Sequence, residues 1–317
     1  MKAGFVSLVG LPNAGKSTLL NRLVGTKLAI VSDKPQTTRN RILAVRNYPG
    51  GQVVYLDTPG IHRPVHRMNM RMLDAANDAM RDADVVGVVI DVTQKPGGGQ
   101  RHLSEVIKKL DRPVVLILNK IDLVAKRKLL PLIDEWQHVR DFAAIVPVSA
   151  TTGDGVPALE EALLDHLPSG DALYPEDYLT DQPERFFAAE IVREQVLRHT
   201  HAEMPFSTAV VVDKFEEPDE GGLMRLYCSI LVERESQKPI VIGRRGDMIR
   251  TIGTAARLEL ERFFDARVFL DLHVKVKGEW REDDRVLDEM MKTPRSQTDP
   301  SVLRPELSLG QSMPQSP

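Results

Sequence analysis

The sequence predicts two mixed α/β units in one chain: an open, mostly parallel α/β sheet over residues 1–170, then a smaller α+β unit over 185–291. Three observations predict this. Short β-branched runs alternate with amphipathic stretches up to about residue 167, the rhythm of βαβ units. A glycine-rich loop, Gly10-Leu11-Pro12-Asn13-Ala14-Gly15-Lys16-Ser17, stands between a run that reads as a strand and one that reads as a helix start. Beyond a segment rich in proline, acid and tyrosine at 171–184, the order of elements changes.

Taken in order, the strand candidates of the first unit are 5–9, 42–46, 52–57, 85–91, 114–119 and 145–149. Several end in a polar residue, Asp57, Asp91, Asn119 and Ser149, and ligands of open α/β sheets bind at the carboxyl ends of the strands. A helical pattern over 157–167 stops at Leu167-Pro168-Ser169-Gly170. Residues 171–184 read as an ordered linker. The second unit reads as a helix at 185–201, strands at 208–215 and 224–233, a helix at 247–264 and a strand at 267–276. The tail 292–317 is rich in Pro, Ser and Gln with little to bury, the composition expected of disorder.

At 317 residues with 42% hydrophobic and 27% charged residues, the chain has the composition of an ordinary globular protein with room for two cores. A single cysteine, Cys228, excludes an internal disulfide, and its apolar neighbours favour a buried strand position over a reactive thiol. The longest apolar runs, 84–90 and 113–118, are too short to span a membrane. The net charge of −3 makes no global case for nucleic acid, so any such case needs a local patch.

The glycine-rich loop matches G-x-x-x-x-G-K-[ST]. Its mechanism is a ring of backbone N–H groups, here from Asn13, Ala14, Gly15, Lys16, Ser17 and Thr18, closing on a polyphosphate at the positive end of a helix. Lys16 would reach the β- and γ-phosphates, and the Ser17 hydroxyl would take a place on Mg²⁺. Asp57-Thr58-Pro59-Gly60 then supplies a carboxylate for the metal and, at Gly60, an amide for the γ-phosphate. In Lys34-Pro35-Gln36-Thr37-Thr38-Arg39-Asn40 one threonine would close the metal shell once the γ-phosphate is present; Thr38 is favoured over Thr37. Lys16, Thr38 and Gly60 are thus the residues expected to act on the γ-phosphate.

Asn119-Lys120-Ile121-Asp122 follows another strand. One carboxylate, Asp122, can accept both the N1–H and N2–H₂ donors of guanine, a pair that adenine lacks, which selects GTP and GDP over adenine nucleotides. Lys120 would lie along the base and Asn119 would brace the loop. Ser149-Ala150-Thr151-Thr152-Gly153 offers a small-residue loop whose Ala150 amide could reach guanine O6.

With these motifs the chain resembles the Era-type GTPases, from the P-loop through Pro-Gln-Thr-Thr-Arg, Asp-Thr-Pro-Gly and Asn-Lys-Ile-Asp to Tyr-Pro-Glu-Asp-Tyr-Leu-Thr-Asp and into the second unit, about residues 3–290. Where many small GTPases carry a water-orienting glutamine, this chain has Ile61, which predicts slow intrinsic hydrolysis. Asn13 is similar to the asparagine with which some relatives bind K⁺. His62 and His66 are expected to be exposed loop residues without a catalytic partner.

In the second unit, Ile242-Gly243-Arg244-Arg245-Gly246 is a G-x-x-G loop before a helix start. KH domains clamp about four nucleotides with such a loop. The surrounding order resembles a type II KH domain, so Ile242, Gly243, Arg244, Arg245, Gly246 and Arg250 are candidate RNA contacts. Ile242, Ile249 and Ile252 would form an apolar floor for the bases, with Lys238, Arg250 and Arg257 extending a basic face. The resemblance implies a 16S-type ribosomal RNA target near its 3′ end, the 30S subunit as partner, and a role in small-subunit assembly. It also implies a monomeric cytoplasmic protein, with peripheral contact at the inner face of the cell membrane left open. The rival readings are a constitutive RNA binder with negligible turnover, a P-loop ATPase or kinase, which Asp122 opposes, and a membrane-surface GTPase.

Overall fold

The computed structural model describes residues 1–61, 64–95, 97–201, 204–218 and 222–291. In the first unit the chain runs β1 (Lys2–Gly10), α1 (Lys16–Val24), β2 (Ile42–Tyr48), β3 (Gly51–Asp57), α2 (Arg67–Asp82), β4 (Val85–Asp91), α3 (Gly98–Ile107), β5 (Val114–Asn119), α4 (Leu129–Gln137), β6 (Ala144–Val148) and α5 (Val156–Asp165). The strands form one sheet in the order β2-β3-β1-β4-β5-β6, in which only β2 is antiparallel to its neighbour.

The near-continuous apolar runs have the two-sided burial that parallel strands require. Along β1, Val6 and Leu8 face a core shared with Leu19, Leu20 and Leu163, whereas Phe5 and Val9 face a second core with Leu103 and Ile107 on the other side. Every strand that carries a motif therefore ends at one rim, and the functional loops leave from there. The last strand ends at Val148, so Ser149 begins a loop rather than ending the strand expected at 145–149.

The segment 171–184 is an ordered strap along the sheet. Gln52, buried on β3, accepts from the Leu173 and Tyr174 amides at 2.7 and 2.9 Å and donates to the Tyr174 carbonyl at 2.9 Å. The Thr180 hydroxyl donates to the Leu43 carbonyl at 2.7 Å, and the Val45 amide donates to Leu179 at 2.8 Å. These bonds cover the outer edge of β2, whose unpaired backbone would otherwise be open to another chain.

The second unit comprises α6 (Glu184–His199), α7 (Met204–Ser207), β7 (Thr208–Glu216), β8 (Leu223–Val232), α8 (Lys238–Ile242), α9 (Asp247–Phe264), β9 (Arg267–Val276) and α10 (Asp284–Met291). Its sheet has the order β7-β8-β9, with β7 and β8 antiparallel and β8 and β9 parallel. Helices α6 and α9 cover one face, burying Ile191, Val196, Ile252, Ala256 and Leu260 against Leu226, Cys228 and Ile230. The expected helix at 185–201 is two residues shorter at its end, because His199 is followed by an extended Thr200. Short α8 and terminal α10 were not expected from the sequence. A smaller cluster of Met68 and Met72 from α2 with Ala209, Leu231, Trp280 and Leu287 joins the two units. The tail 292–317, Asp219–Gly221 of the expected turn, and His62 lie outside the described residues.

Candidate nucleotide and RNA sites

The loop after β1 turns where only glycine fits. Gly10 has φ 155°, and a Cβ there would lie 2.3 Å from the Val89 carbonyl oxygen; Gly15 has φ 94°, and a Cβ would lie 2.2 Å from Asn119 Nδ2. Asn119 holds that loop against the loop that follows β6: its amide nitrogen donates to the Ala14 carbonyl at 2.8 Å, and its oxygen accepts from the Ala150 amide at 3.0 Å. The bracing role expected of Asn119 is thus present. It also engages the Ala150 N–H that the sequence offered to guanine O6, so that amide is not reserved for a base.

Lys16 is buried at the start of α1 and donates to the Gly10 and Leu11 carbonyls at 3.2 and 3.1 Å. Burial lowers its pKa to about 8, opposed by the charge of Asp57. Burial likewise raises Asp57 to about 6, opposed by Lys16 and by hydrogen bonds from Ser17 and the Thr58 amide. The Ser17 hydroxyl lies 2.7 Å from Asp57 Oδ2 and 2.7 Å from Thr38 Oγ1. Thr37 turns away, its hydroxyl on the Lys34 carbonyl at 2.6 Å. Three hard oxygen donors from three separate segments converge at Ser17, and Asp57 Oδ1 is buried with no hydrogen-bond partner. That donor set fits an oxygen-seeking divalent cation such as Mg²⁺.

A cavity of about 280 Å³ opens beside them, lined by Asn13, Gly15, Lys16, Ser17, Thr18, Thr38, Gly60 and Lys120, among others. The Asn13 side-chain amide donates to the Asp33 carbonyl at 2.7 Å, tying the P-loop to the following loop. Gly60 packs so closely on Pro12 that a Cβ would come within 2.7 Å of its nitrogen. Lys120 crosses the P-loop, its ammonium 2.8 Å from the Asn13 carbonyl and 2.6 Å from Asp91. Against the opposing effect of burial, Lys120 and Thr93 hold the Asp91 carboxyl below its usual range. Asp122 is exposed two residues further on, and Ser149 is buried with its hydroxyl accepting from the Thr152 amide at 3.1 Å. Ile61 is buried in the core, its amide on the Gly10 carbonyl at 3.0 Å. The side chain that stands in place of a water-orienting glutamine therefore faces apolar packing. His66 pairs with Glu282 at 3.2 Å and so has a structural partner.

At the second site, Gly243 has φ 77° and Gly246 φ 84°, and Arg245 between them is also left-handed at φ 53°. Arg244 and Arg245 are exposed at the tip before α9, and Arg250 is exposed one turn into that helix. Ile242 and Ile249 are half-buried beside the loop. Ile252 is fully buried between α9 and the sheet, which corrects its expected place in that floor: three residues beyond Ile249, it has turned into the core. Arg257 pairs with Glu261 at 2.9 Å within α9, and its charge is locally balanced.

Sequence reasoning missed a third set of residues, at the contact between the units. Arg39 is 2% exposed, donates to the Thr208 carbonyl at 2.9 Å and lies 5.4 Å from the Trp280 ring centre. Arg193 of α6 donates to the Thr37 carbonyl and pairs with Glu190. Its neighbour Glu194 accepts from the Val31 amide at 2.9 Å and from Lys27 at 2.6 Å. One signal was available: α6 interleaves Arg193, Glu194 and Gln195 with apolar residues instead of keeping them to one face, as a helix packed on several sides does.

Comparison with known proteins agrees with this geometry. Residues 5–120 match the model of the 50S ribosome-binding GTPase family, and residues 203–281 match the KH domain. GTPase Era of Geobacter metallireducens is 48% identical over 289 residues, spanning 91% of this chain and 97% of that protein. GTPase Era of Geobacter sp. strain M21 is 51% identical over 288 residues, with 91% and 97% covered. Among solved structures, a variant of Aquifex aeolicus Era bound to GDP and aluminium fluoride superposes with a TM-score of 0.87 at 40% identity, covering 92% of this chain and 99% of that one. Era in complex with MgGDPNP and nucleotides 1506–1542 of 16S ribosomal RNA superposes with a TM-score of 0.88 at 40% identity, covering 92% and 98%. A GTPase domain joined to a KH domain, matched along nearly its whole length by these relatives, makes the chain a GTPase that belongs to the Era family.

Proposed function

We propose that this GTPase is a nucleotide-driven switch that binds 16S-type ribosomal RNA through its KH domain and acts in assembly of the small ribosomal subunit. The observation that carries the reading is that Thr38 and Asp57 both meet Ser17, in a chain whose other domain presents an exposed arginine pair in a G-x-x-G loop. A relative bound to MgGDPNP and 16S RNA supports both halves.

In this reading Ser17, Thr38 and Asp57 hold Mg²⁺, and Asp57 acts as carboxylate. The ion, when bound, neutralises charge on the phosphates. Lys16 and the amides of Asn13 to Thr18 grip the phosphates, and the Gly60 amide senses the γ-phosphate. Asn119 and Lys120 fix the base loop on which Asp122 selects guanine; Ser149 and Ala150 shape its far wall. Thr38 has the γ-phosphate-dependent place in the shell, and loss of that phosphate releases its loop. Because Ile61 is committed to the core, water is oriented by backbone groups or by a partner, and unassisted turnover is slow. Asn13 offers a side-chain oxygen at the P-loop rim for K⁺; equal turnover in K⁺ and Na⁺ would refute that part.

Gly243 and Gly246 let the RNA backbone approach, Arg244, Arg245 and Arg250 supply charge, and Ile242 supports a base. The working form is a cytoplasmic monomer. No described helix is long and apolar enough to cross a membrane; contact with the inner membrane face is tested by flotation with anionic vesicles. The central experiment is crosslinking to total RNA with the chain loaded with a GTP analogue or with GDP, followed by mapping of the site. Enrichment of the 3′ end of 16S RNA in the GTP-analogue state is expected. Lys16→Ala should abolish the nucleotide effect and Gly246→Asp the crosslink. Equal yield in both states would end the switch reading.

A further inference from the structure

We propose that Arg193 and Arg39 are positioning residues for the nucleotide site, through which the docked KH domain holds Thr38 in the place that a triphosphate requires. Thr38 is flanked on both sides by residues that the other domain grips. Before it, the Thr37 carbonyl accepts from Arg193 of α6. After it, the Arg39 guanidinium donates to the Thr208 carbonyl at 2.9 Å and lies over Trp280. Between these anchors the Thr38 hydroxyl points the other way, to Ser17 at 2.7 Å.

Two further contacts fix the ends of the same loop. Glu194, adjacent to Arg193, accepts the Val31 amide at 2.9 Å, and the Asn40 side chain donates to the Met290 carbonyl at 3.2 Å. The loop is thus held at positions 31, 37, 39 and 40, while its inward contact with the metal-ligand set is made by residue 38. Arg193 is itself braced by Glu190 at 2.6 Å, and both arginines are almost fully buried. Buried guanidiniums of this kind fix geometry, because each displaced donor would be left desolvated without its acceptor.

The consequence is specific. Thr38 contributes to binding only when a γ-phosphate and Mg²⁺ are present, so the anchors act on the triphosphate state and not on the diphosphate state. KH docking then raises affinity for GTP over GDP, and by linkage GTP favours docking. This inference rests on the assignment of Thr38 as the γ-phosphate-dependent ligand, and the test separates the two.

The full chain is titrated with a non-hydrolysable GTP analogue and with GDP, each with and without Mg²⁺, alongside binding of a 16S 3′-end RNA. Arg193→Met should weaken the analogue about tenfold in Mg²⁺, within the usual range of coupling between sites. GDP affinity and nucleotide-free RNA binding should be unchanged. Arg193→Lys should recover part of the loss, because an ammonium can still donate to the Thr37 carbonyl. If Arg193→Met does not fold, Arg39→Lys carries the test: it keeps charge and a donor but loses the guanidinium that lies over the Trp280 ring, and should weaken the analogue alone. Equal weakening of both nucleotides, or of neither, overturns the proposal. A wild-type chain whose Mg²⁺ dependence is the same for analogue and GDP overturns the Thr38 assignment instead.

Discussion

Ile61 shows how one buried side chain constrains the chemistry. It follows the Asp-Thr-Pro-Gly turn, and its side chain packs with Phe5, Val9 and Leu56. A glutamine placed there would enter apolar packing before it could meet a water. We expect Ile61→Gln to lower stability by about 1–3 kcal/mol, the cost of an amide buried without partners, and to leave intrinsic GTP turnover unaltered. Thermal melting and single-turnover hydrolysis check both halves; a large gain in turnover would mean that the side chain reaches the nucleotide. Cys228 is a second case. It is fully buried on β8, and burial, reinforced by the charge of Asp213, pushes its thiol up to about 12. From the ordinary thiol pKa up to that value, the folded chain keeps a proton that the unfolded chain has lost, so this group makes stability fall as the pH rises. At pH 8 a thiol reagent should label the native chain negligibly and the denatured chain once. Rapid native labelling would contradict the packing of β8.

At the scale of elements, what was legible in the sequence divides by the range of the interaction. The strands at 85–91, 114–119 and 267–276 and the helix at 247–264 have the bounds expected of them, because apolar period, glycine and loop composition act within a few residues. The P-loop and the Asn-Lys-Ile-Asp motif were legible for the same reason: each is a short contiguous run whose residue types and spacing are read locally. Of the two adjacent threonines, Thr38 lies with its hydroxyl on Ser17 and Thr37 with its hydroxyl on the Lys34 carbonyl, a difference set by the fold and not by either residue type. Ile252 was misplaced because a helical face was assigned without the sheet that covers it. The strap 171–184 was read only as ordered, since its partners lie more than 100 residues away. Gln52 is its main anchor, and Gln52→Ala would leave the buried Tyr174 and half-buried Leu173 amides without their acceptor. A loss of about 1–3 kcal/mol is expected, with faster hydrogen exchange at Leu173 and Tyr174 and unchanged GDP affinity. Protection equal to the wild type would show that the strap is held by its tyrosine stack, Tyr174 on Tyr178 at 4.7 Å, and not by Gln52.

At the scale of the molecule, α6 grips the loop at 27–37, and on the other side of it α2 meets the second unit through an apolar plug and a rim of ion pairs, which contribute unequally. The rim pairs Arg67 and Arg71 of α2 with Asp284 and Asp288 of α10 at 2.6–2.8 Å, but these side chains are partly exposed, and such pairs contribute little each. The plug is Trp280, fully buried among Met68, Met72 and Leu287, with its indole N–H on the Ser207 carbonyl at 3.0 Å. No local signal marks Trp280 as an interface residue, because its neighbours come from α2, β7, β8 and α10, which only the folded chain brings together. Removing a buried tryptophan costs about 3–5 kcal/mol, and here the loss falls on the contact between domains and on the seat of Arg39. Trp280→Ala should therefore leave each domain folded and raise the radius of gyration in solution scattering. It should also weaken a GTP analogue more than GDP, since Thr38 would lose one of its flanking anchors. High salt should reproduce little of this, because it screens the rim and leaves the plug intact. If salt separates the domains and Trp280→Ala does not, the ion pairs carry the interface, and the buried path from Trp280 through Arg39 to Thr38 is not what couples them.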